Sequence, residues 1–420
     1  MTGTDSRFES DEEIRADLHS LYRRLHSDPE LSMQEHRTAA LIEQELTTLG
    51  IEHFRCGGTG VVGLLRNGDG PVVAFRADID GLPIAEETGL EYASSATGVQ
   101  PDGLMVPVMH ACGHDTHVST LLTAARMLAG GRSGWSGTVV LLFQPGEEIG
   151  AGARAMINDG LWDKAPRPVV IFGQHVWPVL AGTIQYSSGN AMSQADSWKV
   201  TLHGQGSHGS QPENSVDPIV LGAHIITRIQ TIVSREIDPR RAAVITVATF
   251  HGGVKENIIP ATAEFTVNVR TFDAAVRTHV LDALRRIISA EAIASRAPEP
   301  VIEELYTFPV NYNDPQATES LMHGLAKVLG PGKIKPAEPV MGSEDFGLLA
   351  QAIGVPSVFW FFGGHSAETL AADGPVPQNH SPYFAPVIEP TLTTGVQAAV
   401  WAIMSRVGHE DPASAIHRKS

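Results

Sequence analysis

Apolar positions in the first fifty residues recur at helical spacing. Residues 11–49 carry two such patterns, and in the second Ala39, Ile42, Leu46 and Leu49 fall at i, i+3, i+7 and i+10, with Gly50 placed to end the helix in a left-handed turn. The period then shortens. Apolar runs at 61–65 and 71–75 flank Asn67-Gly68-Asp69-Gly70, which predicts a strand pair joined by a turn, the second strand running into Asp78 and Asp80. A helix is expected over 118–128, followed by near-continuous apolar strands at 137–143, 169–172 and 357–362. Uninterrupted apolar strands separated by helices predict an α/β domain with helices on both faces of its sheet.

Between residues 196 and 304 the texture changes. Trp198, Val200 and Leu202 alternate with polar residues, helices are expected over 217–237 and 273–295, and strands over 242–250, 262–272 and 301–308. The order β-α-β-β-α-β is that of a ferredoxin-like α+β unit. It divides the chain into a discontinuous α/β domain, residues 1–195 and 305–420, and an inserted domain, residues 196–304. Residues 363–378 read as a loop by their glycine, alanine and proline content.

Composition narrows the function classes. The chain has 420 residues, 42% hydrophobic and 18% charged, which excludes a disordered or fibrous protein. Lys and Arg number 30 against 47 Asp and Glu, a net charge of −17, so phosphate backbones and anionic membranes are repelled and neither nucleic acid nor membrane is an expected partner. The charge is unevenly placed: residues 196–304 hold 11 basic and 13 acidic residues, leaving −15 to the α/β part. Two cysteines, Cys56 and Cys112, point to a reducing compartment. With no basic and apolar leader at the N-terminus and no long apolar run, the cytoplasm is the expected location.

Ligand-type residues gather where an α/β sheet binds ligands, at the carboxyl ends of its strands. One strand runs into Asp78 and Asp80, another into Glu147 and Glu148, a third into His175, and a fourth is followed by the loop to His380. The densest cluster is 109–117, MHACGHDTH. Cys112 and His114 are two apart and face the same side if the segment is extended, with Gly113 letting the backbone bend round an ion. A thiolate with an imidazole suits Zn²⁺, and added carboxylates admit Mn²⁺ or Co²⁺. After the Pro145-Gly146 turn, Glu147 and Glu148 point to opposite sides. One is placed to bind a metal while the other takes a proton from water and passes it to a leaving amine.

Several motifs taken together resemble the M20 metallopeptidase family: HACGHD at 110–115, QPGEE at 144–148, GQHVWP at 173–178, GQGSHGSQP at 204–212, NIIPATAEFTVNVRTFD at 257–273, GSEDF at 342–346 and NHSPYF at 379–384. The branch they look like is the amidohydrolases that cleave N-acyl amino acids, hippurate and auxin–amino acid conjugates. The resemblance implies a zinc-exopeptidase-like catalytic domain with the insert as lid and dimerisation module. It implies two divalent ions, zinc or manganese with cobalt a further option, held by Cys112, His114, Glu148, His175 and His380. Glu147 would be general base and acid, Asp80 an assisting carboxylate, and His208 the donor to the oxyanion. Asn257 and Arg270 would hold the substrate carboxylate, and Arg270 has independent support: it lies on the polar face of an alternating strand with Asn268 and Thr266. The insert departs from the family pattern at Glu213, where a histidine is usual. The implied activity is hydrolysis of the amide of an N-acyl amino acid by a homodimer or larger homo-oligomer. Two alternatives stay open at this point: a dipeptidase or aminopeptidase, for which Glu213 and Glu344 are the available amine-binding carboxylates, and a non-catalytic ligand-binding relative.

Overall fold

A computed structural model describes residues 12–409, which gather into two units. The first comprises residues up to 191, 312–339 and those from 345 onward; the second comprises Met192–Asn311 and Val340–Glu344. The insert thus starts at Met192 rather than residue 196, runs to Asn311 rather than 304, and takes in a segment distant in sequence. The reason is local pairing. Gln194 is already in register with Thr271, and Ser193 N–H donates to the carbonyls of Val340 and Gly342.

The first unit is built on an eight-stranded sheet. Its spatial order is Glu52–Arg55, Val61–Asn67, Gly137–Gln144, Val72–Asp78, Ile171–Leu180, Ser357–His365, Ile184–Tyr186 and Ile334–Pro336. The four central strands, from Gly137–Gln144 to Ser357–His365, are mutually parallel. This corrects the expected strand pair: Val61–Asn67 and Val72–Asp78 are not neighbours, because Gly137–Gln144 lies between them, antiparallel to the first and parallel to the second. All eight residues of Gly137–Gln144 are buried, a demand met only by a strand covered on both faces and paired on both edges. The turn at 68–71 spans that strand, and Thr138 N–H donates to Pro71 O beneath it.

Pleating distributes the side chains of Ile171–Leu180 to opposite faces. On one face Gln174 donates to Thr120 Oγ1 and to Gly395 O, in the helices His114–Gly130 and Ile388–Val407. On the other, a Cβ at Gly173 would come within 2.8 Å of Phe346. The helix His114–Gly130 is buried almost all round, wedged between the sheet and the helices Glu12–Ser27 and Ile388–Val407, so its first residue is held deep in the unit.

In the second unit, the four long strands Gln194–His203, Ala243–Gly252, Thr262–Thr271 and Val301–Phe308 form one antiparallel sheet with the third strand between the first and second. This is the ferredoxin-like order. Two helices, Pro218–Thr231 and Ala274–Ala294, cover one face, each started by an aspartate that accepts two backbone N–H groups, Asp217 and Asp273. The expected single helix over 217–237 ends sooner, its last turn widening into a π-turn at Ile232–Glu236.

Candidate metal centre

Asp80, Cys112, Glu147, Glu148 and His380 lie on loops and His114 at a helix start, while His175, expected at a strand end, lies within the strand Ile171–Leu180, paired with Phe361; all seven belong to the first unit. Cys112 and His114 do not lie on one face of an extended segment, as expected. Gly113 adopts a left-handed conformation (φ +83°) and His114 begins the helix, so the two side chains serve different neighbours. A Cβ at Gly113 would lie 2.4 Å from Val176 Cγ1, so glycine is required on both grounds. Cys112 Sγ lies 3.4 Å from His175 Nε2 and 3.2 Å from His380 Nε2. His114 faces Asp80 with one ring nitrogen and Glu147 and Glu148 with the other.

Glu148 stands between the two groups. Its Oε1 is 3.8 Å from His114 Nε2 and its Oε2 is 3.3 Å from His380 Nε2. Three of the sets of possible ligands, each with its ligand atoms within 4.8 Å of one another, lie in the first unit: Cys112, Glu148 and His380; His114, Glu147 and Glu148; and Asp78, His114, His117 and His175. Hydrogen bonds decide which imidazoles are available. His175 Nδ1 donates to Val176 O (2.6 Å), leaving the Nε2 lone pair pointing at Cys112. His114 Nδ1 donates to Asp80 through the backbone O (3.0 Å) and Oδ1 (3.2 Å), leaving Nε2 free for an ion. His117 is spent: Nδ1 donates to Asp78, and Nε2 accepts the Val176 N–H at 2.8 Å.

Whether a cation fits is tested by what has no partner. His114 Nε2 and Glu148 Oε1 are buried without a hydrogen bond and face each other across 3.8 Å, a gap that an ion bonding each at ~2.0–2.2 Å spans. The electrostatics agree. Burial, then the Glu148 carboxylate, pushes the Cys112 thiol well up, and burial lifts Glu148 to about 8. Burial works to lower His114, but Asp78 and Asp80 outweigh it and raise it to about 10. A buried group of acids leaning on one imidazolium is reversed in sign by a divalent ion, which ionises thiol and carboxylate alike and takes the imidazole as a neutral donor. The residues fit the metal.

Asp80 is fully engaged. Its Oδ2 accepts Ser32 Oγ–H (2.6 Å) and Glu148 N–H (3.0 Å) while Oδ1 orients His114, so it positions two donors of the cluster. Sequence reasoning did not assign roles to the groups beneath. Asp78 bonds His117 and a fully buried Arg76, which also reaches Gln144 and Asp345. Glu35 accepts the N–H groups of Met33 and Gly146 at 2.8 Å each, clamping the turn before Glu147; burial and then the charge of Asp80 lift it to about 7. The Asp78–Xaa–Asp80 spacing at a strand end was the available signal for Asp78. No local pattern marks Glu35.

The remaining predicted residues lie in the second unit. The short strands Ser207–His208 and Ile258–Ile259 pair, and Gly209 N–H donates to Asn257 O, so His208 and Asn257 are adjacent and exposed. His208 Nδ1 accepts the Ser210 N–H, which puts the neutral ring's proton on Nε2. Arg270 is half-buried, donating to Asn268 Oδ1 (3.0 Å), Met341 O (2.7 Å) and Ser343 Oγ (3.3 Å). Glu213 is exposed and Glu344 buried.

A mixed sheet with buried sulfur, imidazole and carboxylate donors gathered on its parallel strands and the loops and helix start that follow them, around the gap between His114 Nε2 and Glu148 Oε1, defines a metallohydrolase. Residues 74–404 match the model of peptidase family M20/M25/M40, and the chain belongs to that family, a metal-dependent hydrolase of amide bonds. It is 36% identical over 396 residues to thermostable carboxypeptidase 2 of Saccharolobus solfataricus, covering 92% of this chain and 94% of the relative. It is 37% identical over 353 residues to N-acetyl-L-cysteine deacetylase of Bacillus subtilis, covering 83% and 81%. Among solved structures, a Bacillus subtilis protein described as a dinuclear metal binding peptidase from the M20 family superposes with a TM-score of 0.74 at 30% identity, covering 94% of this chain and 99% of that one.

Proposed function

We propose that this protein hydrolyses the amide bond of N-acyl amino acids to a carboxylic acid and a free amino acid. The observation that carries this reading is the pair of buried, unpartnered donors facing each other, His114 Nε2 and Glu148 Oε1, with the Glu147 carboxylate alongside, its Oε2 4.0 Å from the same imidazole nitrogen. On this reading Cys112, His114, Glu148, His175 and His380 hold two divalent ions, zinc or manganese, with cobalt as a substitute. Such ions supply Lewis acidity toward the amide carbonyl and acidify water. Glu147 takes the proton of the attacking water and delivers it to the leaving nitrogen. Asp80 keeps the His114 Nδ1–H and the Glu148 N–H aligned throughout.

His208 offers Nε2–H to the developing oxyanion. Arg270 and Asn257 take the carboxylate of the departing amino acid; Arg270, already aligned by three acceptors, loses little side-chain entropy in doing so. The insert serves as the lid and joins two copies into a homodimer. The compartment is the cytoplasm, where the Cys112 thiol stays reduced. Among the described residues no helix is long and apolar enough to cross a membrane.

Support for the substrate class comes from the relative named as a deacetylase of an N-acetyl amino acid. The relative named as a carboxypeptidase favours a second reading, in which the acyl part is itself a peptide. Both cleave the amide whose nitrogen belongs to a residue with a free carboxylate. A hydrolysis screen over acyl groups, amino acids and unblocked peptides, with Mn²⁺, Zn²⁺ and Co²⁺ supplied in turn, separates them. Turnover of N-acetyl and N-benzoyl amino acids above that of dipeptides supports the first reading, and the reverse order supports the second.

A further inference from the structure

His380 is the exposed member of the donor cluster. Its side chain is 53% exposed, and its backbone sits in the left-handed region at φ +68°. Two bonds tie its loop to the HACGHD segment: His380 N–H donates to Ala111 O (2.8 Å) and Asn379 Nδ2 to Cys112 O (3.2 Å). A third anchor comes from nearly three hundred residues away. Glu87 N–H donates to Pro382 O (2.9 Å), and the Tyr383 hydroxyl donates to the Glu87 carboxylate.

The residue next to it turns inward. The Glu86 side chain is fully buried, accepts Ser94 N–H (2.6 Å) and the Thr88 hydroxyl, and lies 3.0 Å from His26 Nε2. His26 in turn reaches Asp115 Oδ2 with Nδ1 at 2.6 Å, and Asp115 follows His114 in the chain. The rings of Tyr22 and Tyr92 close over His26 at 5.6 and 5.2 Å. Two adjacent residues therefore grip the two donor-bearing segments, one through a buried ion pair and one through a surface contact. We propose that Glu86–Glu87 is a positioning strut that fixes the NHSPYF loop, and with it the His380 imidazole, relative to Cys112 and His114. The stiffness originates in the buried arm, where Glu86 accepts Ser94 N–H and the Thr88 hydroxyl and meets His26 Nε2, so that truncating it removes three contacts at once; the exposed Tyr383–Glu87 contact adds a smaller share. The inference builds on the reading of His380 as a metal ligand, so its test observes the loop before it observes the metal.

Hydrogen exchange over residues 379–384 is compared in the wild-type chain, Glu86→Ala, Glu86→Gln and Tyr383→Phe, alongside calorimetric titration with Mn²⁺. The strut predicts exchange in the loop about tenfold faster for Glu86→Ala, about threefold faster for Tyr383→Phe, and between wild type and alanine for Glu86→Gln, whose single amide oxygen replaces the two carboxylate oxygens that serve His26 and Thr88 on one side and Ser94 on the other. It also predicts about tenfold weaker binding of an ion in Glu86→Ala. Wild-type exchange at 379–384 in a folded Glu86→Ala chain overturns the strut. If that variant does not fold, wild-type exchange in Tyr383→Phe overturns it equally. Accelerated loop exchange in a protein whose wild type binds no Mn²⁺, Zn²⁺ or Co²⁺ upholds the strut and overturns the metal reading.

Discussion

Removing the Asp80 side chain isolates what that carboxylate does without touching a proposed donor. In Asp80→Ala, the Glu148 N–H loses its acceptor at 3.0 Å and the Ser32 hydroxyl loses its partner at 2.6 Å, while His114 Nδ1 keeps the Asp80 backbone oxygen at 3.0 Å. One imidazole anchor survives and the Glu148 anchor does not. Leaving that part-buried N–H unsatisfied costs about 1–3 kcal/mol, and loss of such an outer partner lowers metal affinity about 10–100-fold, which is about 1.4–2.7 kcal/mol. The first figure is read in the urea melts of the ion-free protein and the second in the ion affinity. Asp80→Asn, which keeps an acceptor oxygen, falls between wild type and alanine. The assay is Zn²⁺ or Mn²⁺ affinity by competition against a calibrated chelator, with urea melts of the ion-free proteins as the stability reference. Affinity within twofold of wild type in Asp80→Ala refutes the claim that this carboxylate positions the site.

Glu147→Gln is expected to lower kcat by about 10²–10⁴-fold while two ions still bind, and full hydrolysis by the variant removes Glu147 as the base. Arg270→Ala is expected to raise KM for N-acyl amino acids by roughly 10–100-fold, from a charge-assisted bond worth about 1.5–3 kcal/mol, with little effect on substrates whose carboxylate is amidated; an equal effect on both substrates assigns the arginine to structure alone. His26 gives a pH prediction whose sign is fixed. Burial works to lower it, but Asp115 and Glu86 win and raise it from 6.5 to about 9 in the folded chain, so its stabilisation, on the order of 3 kcal/mol, is complete below pH ~6.5 and lost as pH rises through about 9. The stability gap between wild type and His26→Gln, from urea melts of ion-free protein, should therefore shrink between pH 6 and pH 9.5; a gap that widens contradicts the assignment.

The parts of this molecule that were legible in its sequence are those written locally. Apolar runs marked the parallel strands, strand-end residues marked the donor cluster, and alternation with two amphipathic helices marked the ferredoxin-like insert. What was missed is non-local. Placing Gly137–Gln144 between Val61–Asn67 and Val72–Asp78 overrides the preference of consecutive strands to pair, and only its burial at all eight positions explains why. The separate duties of Cys112 and His114 depend on the left-handed Gly113, which an extended-segment reading does not contain. Buried polar groups such as Glu35 and His26 read as surface residues in a linear chain, because partners such as Gly146 and Asp115 are 111 and 89 positions away. His117, which stands in the densest cluster, drops out for the complementary reason that both its nitrogens are already bonded.

The most direct test is the ion requirement of the chain itself. Protein purified without chelator, analysed for divalent metals, stripped, and then titrated with Mn²⁺ or Zn²⁺ should hold two ions per chain when reloaded, with hydrolysis of an N-acyl amino acid lost on stripping and restored with ion binding. Undiminished hydrolysis by a chain shown to contain no divalent ion would contradict the account at its centre.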